Sequence, residues 1–221
     1  MTKLEVACFN EESALLAIQE GVDRIELCED YSLGGVTPNI ETLKKLKEKS
    51  TTPVYVMVRP RGGDFHYTEE EFQIMVEDLT RLKEAGADGF VFGLLTEDHQ
   101  IEIEKTQKLV TLAGGLPCTF HRAFDRVEDK QQALEQIISC GCTTVLTSGG
   151  EHPAMQGLEV LKALKTQAKD RITILVGGGV RSNNVGELKL NFDFVHSACI
   201  RPNTEEIDID ELKAIQKILL E

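Results

Sequence analysis

The sequence contains no tryptophan, and aromatic residues make up only 5% of its 221 positions. Basic residues are also in the minority, because 24 Lys and Arg stand against 37 Asp and Glu, for a formal net charge of −13. A chain this acidic repels nucleic acid and anionic membrane surfaces, so we expect neither as a partner. No apolar run approaches the roughly 20 residues of a membrane span, and no signal-peptide core follows the N-terminus. We therefore predict a cytoplasmic protein.

None of the six cysteines belongs to a C-x-x-C pair. That spacing is typical of structural zinc sites and of redox motifs, so the sequence predicts neither. Disulfides are rare in cytoplasmic proteins of this size. We expect the thiols to be free, and most of them to be buried as small apolar groups.

Eight short apolar segments alternate with longer amphipathic ones along the whole chain. Their Val, Ile, Phe and Leu content is typical of parallel strands that are covered on the outer face. We place the strands at 4–8, 24–28, 54–59, 89–93, 117–121, 143–147, 172–176 and 193–197. Eight such units predict an α/β fold, a single (β/α)8 TIM-type barrel domain over residues 1–221. An open doubly wound sheet uses the same alternation and is the alternative.

Alternation within the first two predicted strands sends acidic side chains into the barrel. Successive side chains of a strand point to opposite faces, and Glu5, Glu26 and Cys28 lie opposite the apolar, helix-facing positions. The same parity turns Cys8 outward unless the first strand bulges at its end. Buried carboxylates need basic partners, and we expect these from the ends of the third, fifth and eighth strands.

One end of the barrel gathers the candidate catalytic residues. Active sites of (β/α)8 barrels lie at the C-terminal ends of the strands. Glutamate and histidine side chains there can act as acid and base, and arginine can bind an anionic group. The candidates are Glu5, Glu26, Arg59, His121, Asp125 and His196. A buried layer of ion pairs that merely fills the barrel is the alternative interpretation.

Glycine-rich segments follow the third, sixth and seventh strands. Glycine lets the backbone approach a ligand closely, and such segments in barrels often bind phosphate through backbone N–H groups. The candidate anion-binding residues are Arg61, Asp64, Thr147, Ser148, Gly149, Gly177, Gly178 and Gly179. Tight turns from strand to helix use glycine as well, so this alternative stays open.

Several strings in these segments resemble the CutC copper homeostasis protein family. They include RIELCE at 24–29, VRPRGGDFHY at 58–67, TFHRAFD at 119–125 and VLTSGG at 145–150. The resemblance implies a TIM-type barrel, a cytoplasmic location and a role in copper handling. It also implies that Cu(I) binds inward cysteines of the first two strands. Cys28 matches the second position, whereas Ala7 stands at the first with Cys8 beside it.

Two functions follow from these observations. The first is a copper homeostasis protein that binds Cu(I) at the barrel mouth, with Cys28 and Cys8 as candidate ligands. The second is an enzyme that acts on a small anionic molecule, such as a phosphorylated or carboxylated sugar-like compound, by acid–base chemistry. A purely structural interaction module leaves the inward charges unexplained. Barrels of this kind often pair through their outer helices, so we expect a homodimer.

Overall fold

Eight parallel strands close into a barrel in the computed structural model, which describes residues 1–221. The order around the barrel follows the chain, and the last strand pairs with the first. This arrangement confirms the predicted (β/α)8 fold. The strands are β1 (Lys3–Cys8), β2 (Arg24–Leu27), β3 (Val54–Met57), β4 (Gly89–Phe92), β5 (Cys118–Phe120), β6 (Thr144–Thr147), β7 (Thr173–Val176) and β8 (Phe194–Ser197).

Eight helices surround the strands, one after each. They are α1 (Glu11–Gln19), α2 (Ile40–Lys49), α3 (Glu69–Glu84), α4 (Ile103–Ala113), α5 (Lys130–Ser139), α6 (Leu158–Ala168), α7 (Val185–Leu188) and α8 (Ile209–Leu220). Short 3-10 turns follow β2, β5 and β6 at Tyr31–Leu33, Arg122–Arg126 and Ala154–Gly157. None of the helices has both the length and the apolar character required to cross a membrane.

Side-chain hydrogen bonds fix where the helices begin. Thr68 precedes α3 and accepts from the backbone N–H of Glu71, whose carboxylate accepts from the N–H of Thr68 in return. This capping box is the one that the Thr-x-x-Glu spacing predicts. Asp208 caps α8 in a similar way by accepting from the N–H groups of Asp210 and Glu211. The caps anchor two of the helices that pack around the barrel.

The barrel wall separates two apolar regions. The main core lies between strands and helices and includes Val6, Cys8 and Leu27. A smaller cluster, which includes Ala7 and Cys28, lies inside the barrel. The two cysteines therefore lie on opposite sides of the wall, because successive strand residues alternate between the faces.

Candidate functional site

Glu5 is the centre of a buried charged cluster inside the barrel. It is fully buried on β1, and the strand register pairs it with Arg24 on β2 and His196 on β8. Nε of Arg24 donates to Oε2 of Glu5, and Nδ1 of His196 lies 2.8 Å from Oε1. Both carboxylate oxygens are thus engaged by basic groups. Glu5 thus orients the guanidinium of Arg24 and the imidazole of His196.

Arg24 is the buried cation that holds Glu5. Its guanidinium lies 4.1 Å from the ring centroid of Tyr55 and 4.3 Å from that of Phe194. An arginine between two aromatic rings gains cation–π attraction. Because a guanidinium is weakly hydrated, its burial costs less than that of an ammonium group. Arg24 was not among the predicted basic partners, which were expected only at the strand ends. The alternation that turns Glu26 inward also turns Arg24 inward, so strand alternation alone could have predicted its position.

Glu26 carries the second inward carboxylate, and it connects the charged cluster with the mouth. Its Oε1 accepts from the thiol of Cys28 at 3.2 Å, and its Oε2 lies 3.9 Å from Nδ1 of His196. That second oxygen is buried and has no hydrogen-bond partner. A buried acceptor without a donor is uncommon in folded proteins and marks a place where a proton, water or ion can bind.

The pKa values of the cluster diverge because each group meets a different environment. Burial works to raise the pKa of Glu5, but the Arg24 charge and the His196 hydrogen bond hold it below its usual value. Burial raises the pKa of Glu26. Burial alone would lower the pKa of His196, yet the charge of Glu26 and the hydrogen bond to Glu5 raise it. Two carboxylates with opposite shifts around one imidazole are typical of acid–base sites.

Arg59 does not meet the inward glutamates, contrary to our expectation of it as a basic partner. Its Nη1 donates to the carbonyl oxygens of Leu33, Gly34 and Gly35, and its Nη2 donates to that of Gly63. Arg59 lies two residues past the end of β3, and its buried side chain donates to the two neighbouring loops. Arg59 therefore fastens the loop after β2 to the loop after β3.

His121 lies apart from the glutamates as well. Its Nδ1 accepts from the N–H of Ala123 at 3.2 Å, and its ring packs against Phe65. Burial, together with the nearby charges of Arg59 and Arg122, lowers the pKa of His121 to about 3. The imidazole is therefore neutral at pH 7, and its Nε2 is buried without a partner.

The charged residues of the loop after β3 neutralise one another. The guanidinium of Arg61 donates to the carboxylates of Glu71 and Asp64 and to the carbonyl of His66. Asp64 also accepts from the N–H of His66. The positive charge that we predicted for anion binding is thus shared between two carboxylates of the chain.

Asp125 and the loop after β6, which we predicted as separate candidates, bind each other. Oδ1 of Asp125 accepts from the hydroxyl of Thr147 at 2.5 Å and from the N–H groups of Ser148 and Gly150. Oδ2 accepts from the hydroxyl of Ser148 and pairs with Arg122 at 2.8 Å. The N–H of Gly149 donates to Thr147. The donors that we expected to bind an external anion already serve this carboxylate.

The glycines after β7 form the part of the predicted anion site that stays open. Gly177 donates its N–H to the carbonyl of Thr147. The N–H groups of Gly178, Gly179 and Val180 make no hydrogen bond within the chain. Gly178 has a φ of +100°, and a Cβ there would lie 3.0 Å from the Cβ of Ser148 and 3.1 Å from the guanidinium carbon of Arg122, so the position favours glycine. Three free amides can bind an anionic group, and Arg122, which also pairs with Asp125, lies beside the first of them.

Six free cysteines are buried, but only Cys28 joins the polar interior. Burial and the Glu26 charge raise the pKa of its thiol. Burial raises the pKa of Cys8 as well, on the opposite side of the wall. Gly35 covers the Cys28 thiol, since a Cβ there would lie 3.3 Å from Sγ. A metal ion can therefore reach Cys28 only if it replaces the thiol proton and if the loop at Gly35 moves.

The fold and the inward Cys28 agree with the comparison with known families. The family model described as the CutC family matches residues 2–200 of this chain. The chain belongs to the CutC family. A CutC family protein of Vibrio campbellii is 47% identical over 189 residues, which cover 85% of this chain and 76% of the relative. A human protein named copper homeostasis protein cutC homolog is 46% identical over 182 residues, 82% of this chain and 67% of the relative.

Solved structures extend the comparison. CutC of Streptococcus agalactiae, provisionally assigned to copper homeostasis, superposes with a TM-score of 0.85 at 32% identity, over 90% of this chain and 99% of that one. Thiamine phosphate pyrophosphorylase of Pyrococcus furiosus gives a TM-score of 0.67 at 17% identity, over 99% and 95% of the two chains. At that identity the likeness concerns the fold alone.

This CutC family member brings together only some of the residues that we predicted as one site. Glu5, Glu26, Cys28 and His196 form one connected cluster. Arg59 and His121 belong to the neighbouring loops, and Asp125 belongs to the loop after β6. The mouth thus combines one thiol, two carboxylates and one imidazole in its interior with three free amides on its rim.

Proposed function

We propose that the protein takes part in copper handling and binds one Cu(I) at the barrel mouth through Cys28. The observation that carries the proposal is the inward position of this thiol, 3.2 Å from Oε1 of Glu26. Thiolate sulfur is the ligand that Cu(I) prefers. Glu26 can accept the proton that the thiol must lose when the ion binds. The human relative named as a copper homeostasis protein supports the assignment.

The same geometry limits the strength of the proposed copper site. Ala7 lies in the interior cluster beside Cys28, and Cys8 lies in the outer core. Cys28 is thus the single thiol that a Cu(I) ion at the mouth can reach without a rearrangement of β1. We expect Cu(I) to be held more weakly here than in a site with two thiolates.

Competition for Cu(I) against a chromogenic chelator tests this proposal. We expect wild type to take one Cu(I) per chain and Cys28→Ser to lose this binding. Cys8→Ser should bind like wild type, and so should Cys118→Ser, a control in which another buried thiol is changed. Unchanged affinity of Cys28→Ser would contradict the proposed site, and an equal loss in Cys8→Ser would contradict the outward position of Cys8.

A second candidate function is an enzyme for a small anionic molecule, as the fold and the interior charges allow. The specific observation in its favour is the set of free N–H groups at Gly178, Gly179 and Val180 beside Arg122. Gly177 lies between these N–H groups and the charged cluster, because a Cβ at Gly177 would lie 3.2 Å from the Cβ of His196. An anionic group on these amides would bring the rest of the molecule toward the imidazole and Glu26, which can exchange protons with it.

Amide chemical shifts measured during a phosphate titration test the second candidate. We expect shifts at 178–180 and weaker ones in Arg122→Gln. Arg201→Gln is the matched control, since Arg201 is exposed on another loop and pairs with Glu206. Absence of shifts at 178–180 at millimolar phosphate would contradict the anion site. A cytoplasmic location and a homodimer also stay proposals, to be tested by cell fractionation and by sedimentation.

A further inference from the structure

Three metal-ligating side chains converge in the barrel interior beneath the mouth thiol. One ligand atom of each of Glu5, Glu26 and His196 lies within 4.8 Å of the other two. Nδ1 of His196 is 2.8 Å from Oε1 of Glu5 and 3.9 Å from Oε2 of Glu26. Two ligands bound to one ion at about 2.1 Å lie about 3 Å apart when adjacent and about 4 Å apart when opposite. Two of the three pairs of ligand atoms therefore already have a spacing that one ion accepts.

The unpartnered oxygen of Glu26 is a second, independent sign of a ligand. The residue is only 4% exposed, and its Oε2 has no hydrogen-bond partner. The other oxygen already accepts from Cys28. A buried oxygen without a donor is unfavourable, and a bound cation would satisfy it. Since Oε2 lies near Nδ1 of His196, a cation on this oxygen would meet the imidazole as well.

We propose that Glu5, Glu26 and His196 bind one divalent first-row transition-metal ion. The ion replaces the proton between Nδ1 of His196 and Oε1 of Glu5. This proton leaves to solvent, and the neutral imidazole then carries its remaining proton on Nε2. Carboxylate and imidazole ligands suit Zn²⁺, Co²⁺, Mn²⁺ and Fe²⁺, whereas Cu(I) prefers thiolates. Mg²⁺ and Ca²⁺ prefer oxygen ligands alone, so the imidazole disfavours them.

Arg24 shapes the proposed site without contacting the ion. It holds Oε2 of Glu5 and so leaves Oε1 toward the imidazole. Two carboxylates and one guanidinium sum to a charge of −1, so a divalent ion brings the buried group to +1. An anionic ligand on the ion would neutralise it. The proposed ligands do not include Cys28, although Glu26 contacts its thiol, and the site suits the small anionic molecules of the second candidate function.

Titration of the full-length protein with Co²⁺ tests the site. The visible absorption of Co²⁺ reports its ligand geometry, and a thiolate ligand adds an intense charge-transfer band in the near ultraviolet. We expect one Co²⁺ per chain, a visible band and no thiolate band. Zn²⁺ should displace the Co²⁺ with the same stoichiometry in calorimetry.

Variants assign the ligands. Glu26→Gln and His196→Gln should each weaken Co²⁺ binding at least about tenfold, since the loss of even an outer-shell partner costs this much. Glu29→Gln, an exposed carboxylate at the exit of the same strand, is the matched control and should bind like wild type. Cys28→Ser should keep Co²⁺ and lose Cu(I), which separates this proposal from the copper proposal.

Three results would overturn the site. They are the absence of saturable Co²⁺ binding to folded wild type, wild-type affinity in the folded ligand variants, and a thiolate band that disappears in Cys28→Ser. The last result would assign the ion to Cys28. Circular dichroism checks the fold of each variant, and His196→Gln decides the matter if Glu26→Gln does not fold.

Discussion

Among single residues, Arg24 has the largest role in making the polar interior possible. It is buried between Tyr55 and Phe194 and is the guanidinium that pairs with the fully buried Glu5. A buried ion pair adds little stability by itself, but removal of one partner leaves an uncompensated charge. Glu5 would then be a carboxylate with only His196 to neutralise it.

Loss of Arg24 should therefore destabilise the protein strongly. We expect Arg24→Gln to lower the free energy of unfolding by about 3–5 kcal/mol, measured by urea denaturation at pH 7. Lys44→Gln removes the cation of an exposed pair with Glu41 and should cost less than about 1 kcal/mol. Similar losses in the two variants would show that the buried pair has no special role.

His121 should make stability depend on pH in the acidic range. Its pKa is about 3 in the folded chain and about 6.5 in the unfolded chain, so the unfolded state binds the proton first. The contribution of His121 to stability is fully present above about pH 6.5 and is lost as the pH decreases toward 3. Between pH 7 and 5 the loss is about 2 kcal/mol. Over the same pH range, His121→Gln should lose about 2 kcal/mol less of its free energy of unfolding than wild type. Equal pH dependence of stability in the two proteins would contradict the lowered pKa of His121.

Residue positions inside the barrel could be predicted from strand alternation, whereas those in loops could not. The structure turns Glu5 and Glu26 inward within the regular register of β1 and β2, and Cys28 continues the alternation one residue past β2, where its N–H donates to the carbonyl of Cys8. Arg59 lies two residues past β3 and His121 one residue past β5, and their side chains bond to loop backbone rather than to the inward glutamates. Their partners are loop carbonyls and amides, which no spacing in the sequence reveals.

Among the elements, the loops after β5, β6 and β7 decide where an anion can bind. Asp125 from the loop after β5 occupies the N–H groups of Ser148 and Gly150 after β6. The N–H groups of Gly178 and Gly179 after β7 stay free. Similar glycine-rich sequences thus have different uses, because only one of the two loops lies against an internal carboxylate. Both loops were predicted as anion sites because their sequences are similar and the position of the internal carboxylate is not visible in the sequence.

Removal of the internal carboxylate should create a new anion site. In Asp125→Ala we expect phosphate to shift the amide resonances of 148–150, since these donors lose their acceptor. In wild type these resonances should not respond. A matched variant, Asp129→Ala, removes a carboxylate that caps α5 and should leave 148–150 insensitive to phosphate. A response of 148–150 in wild type would contradict the internal role of Asp125.

For the whole molecule, closure of the barrel makes the ends of the chain depend on each other. β1 pairs with β8, so neither half of the barrel completes its hydrogen bonds alone. The eightfold alternation made this architecture predictable, because a strand–helix period repeated eight times suits few other folds. The domain boundaries at 1 and 221 remain a prediction of the sequence.

A single domain should unfold in one step. With no tryptophan in the chain, tyrosine fluorescence and far-ultraviolet circular dichroism are the natural probes. We expect their urea transitions to coincide. Tyr55 reports the barrel interior and Tyr67 reports the loop after β3. Two separate transitions would indicate that parts of the barrel unfold independently and would contradict one domain over 1–221.

The sulfur ligands of bound copper test the central claim most directly. X-ray absorption at the copper K-edge counts the sulfur atoms that contact the ion in the Cu(I)-loaded protein. Because Cys28 is inward and Cys8 lies in the outer core, the account predicts one sulfur ligand together with nitrogen or oxygen ligands, and no sulfur ligand in Cys28→Ser. Two sulfur ligands in wild type, or an unchanged spectrum in Cys28→Ser, would contradict it.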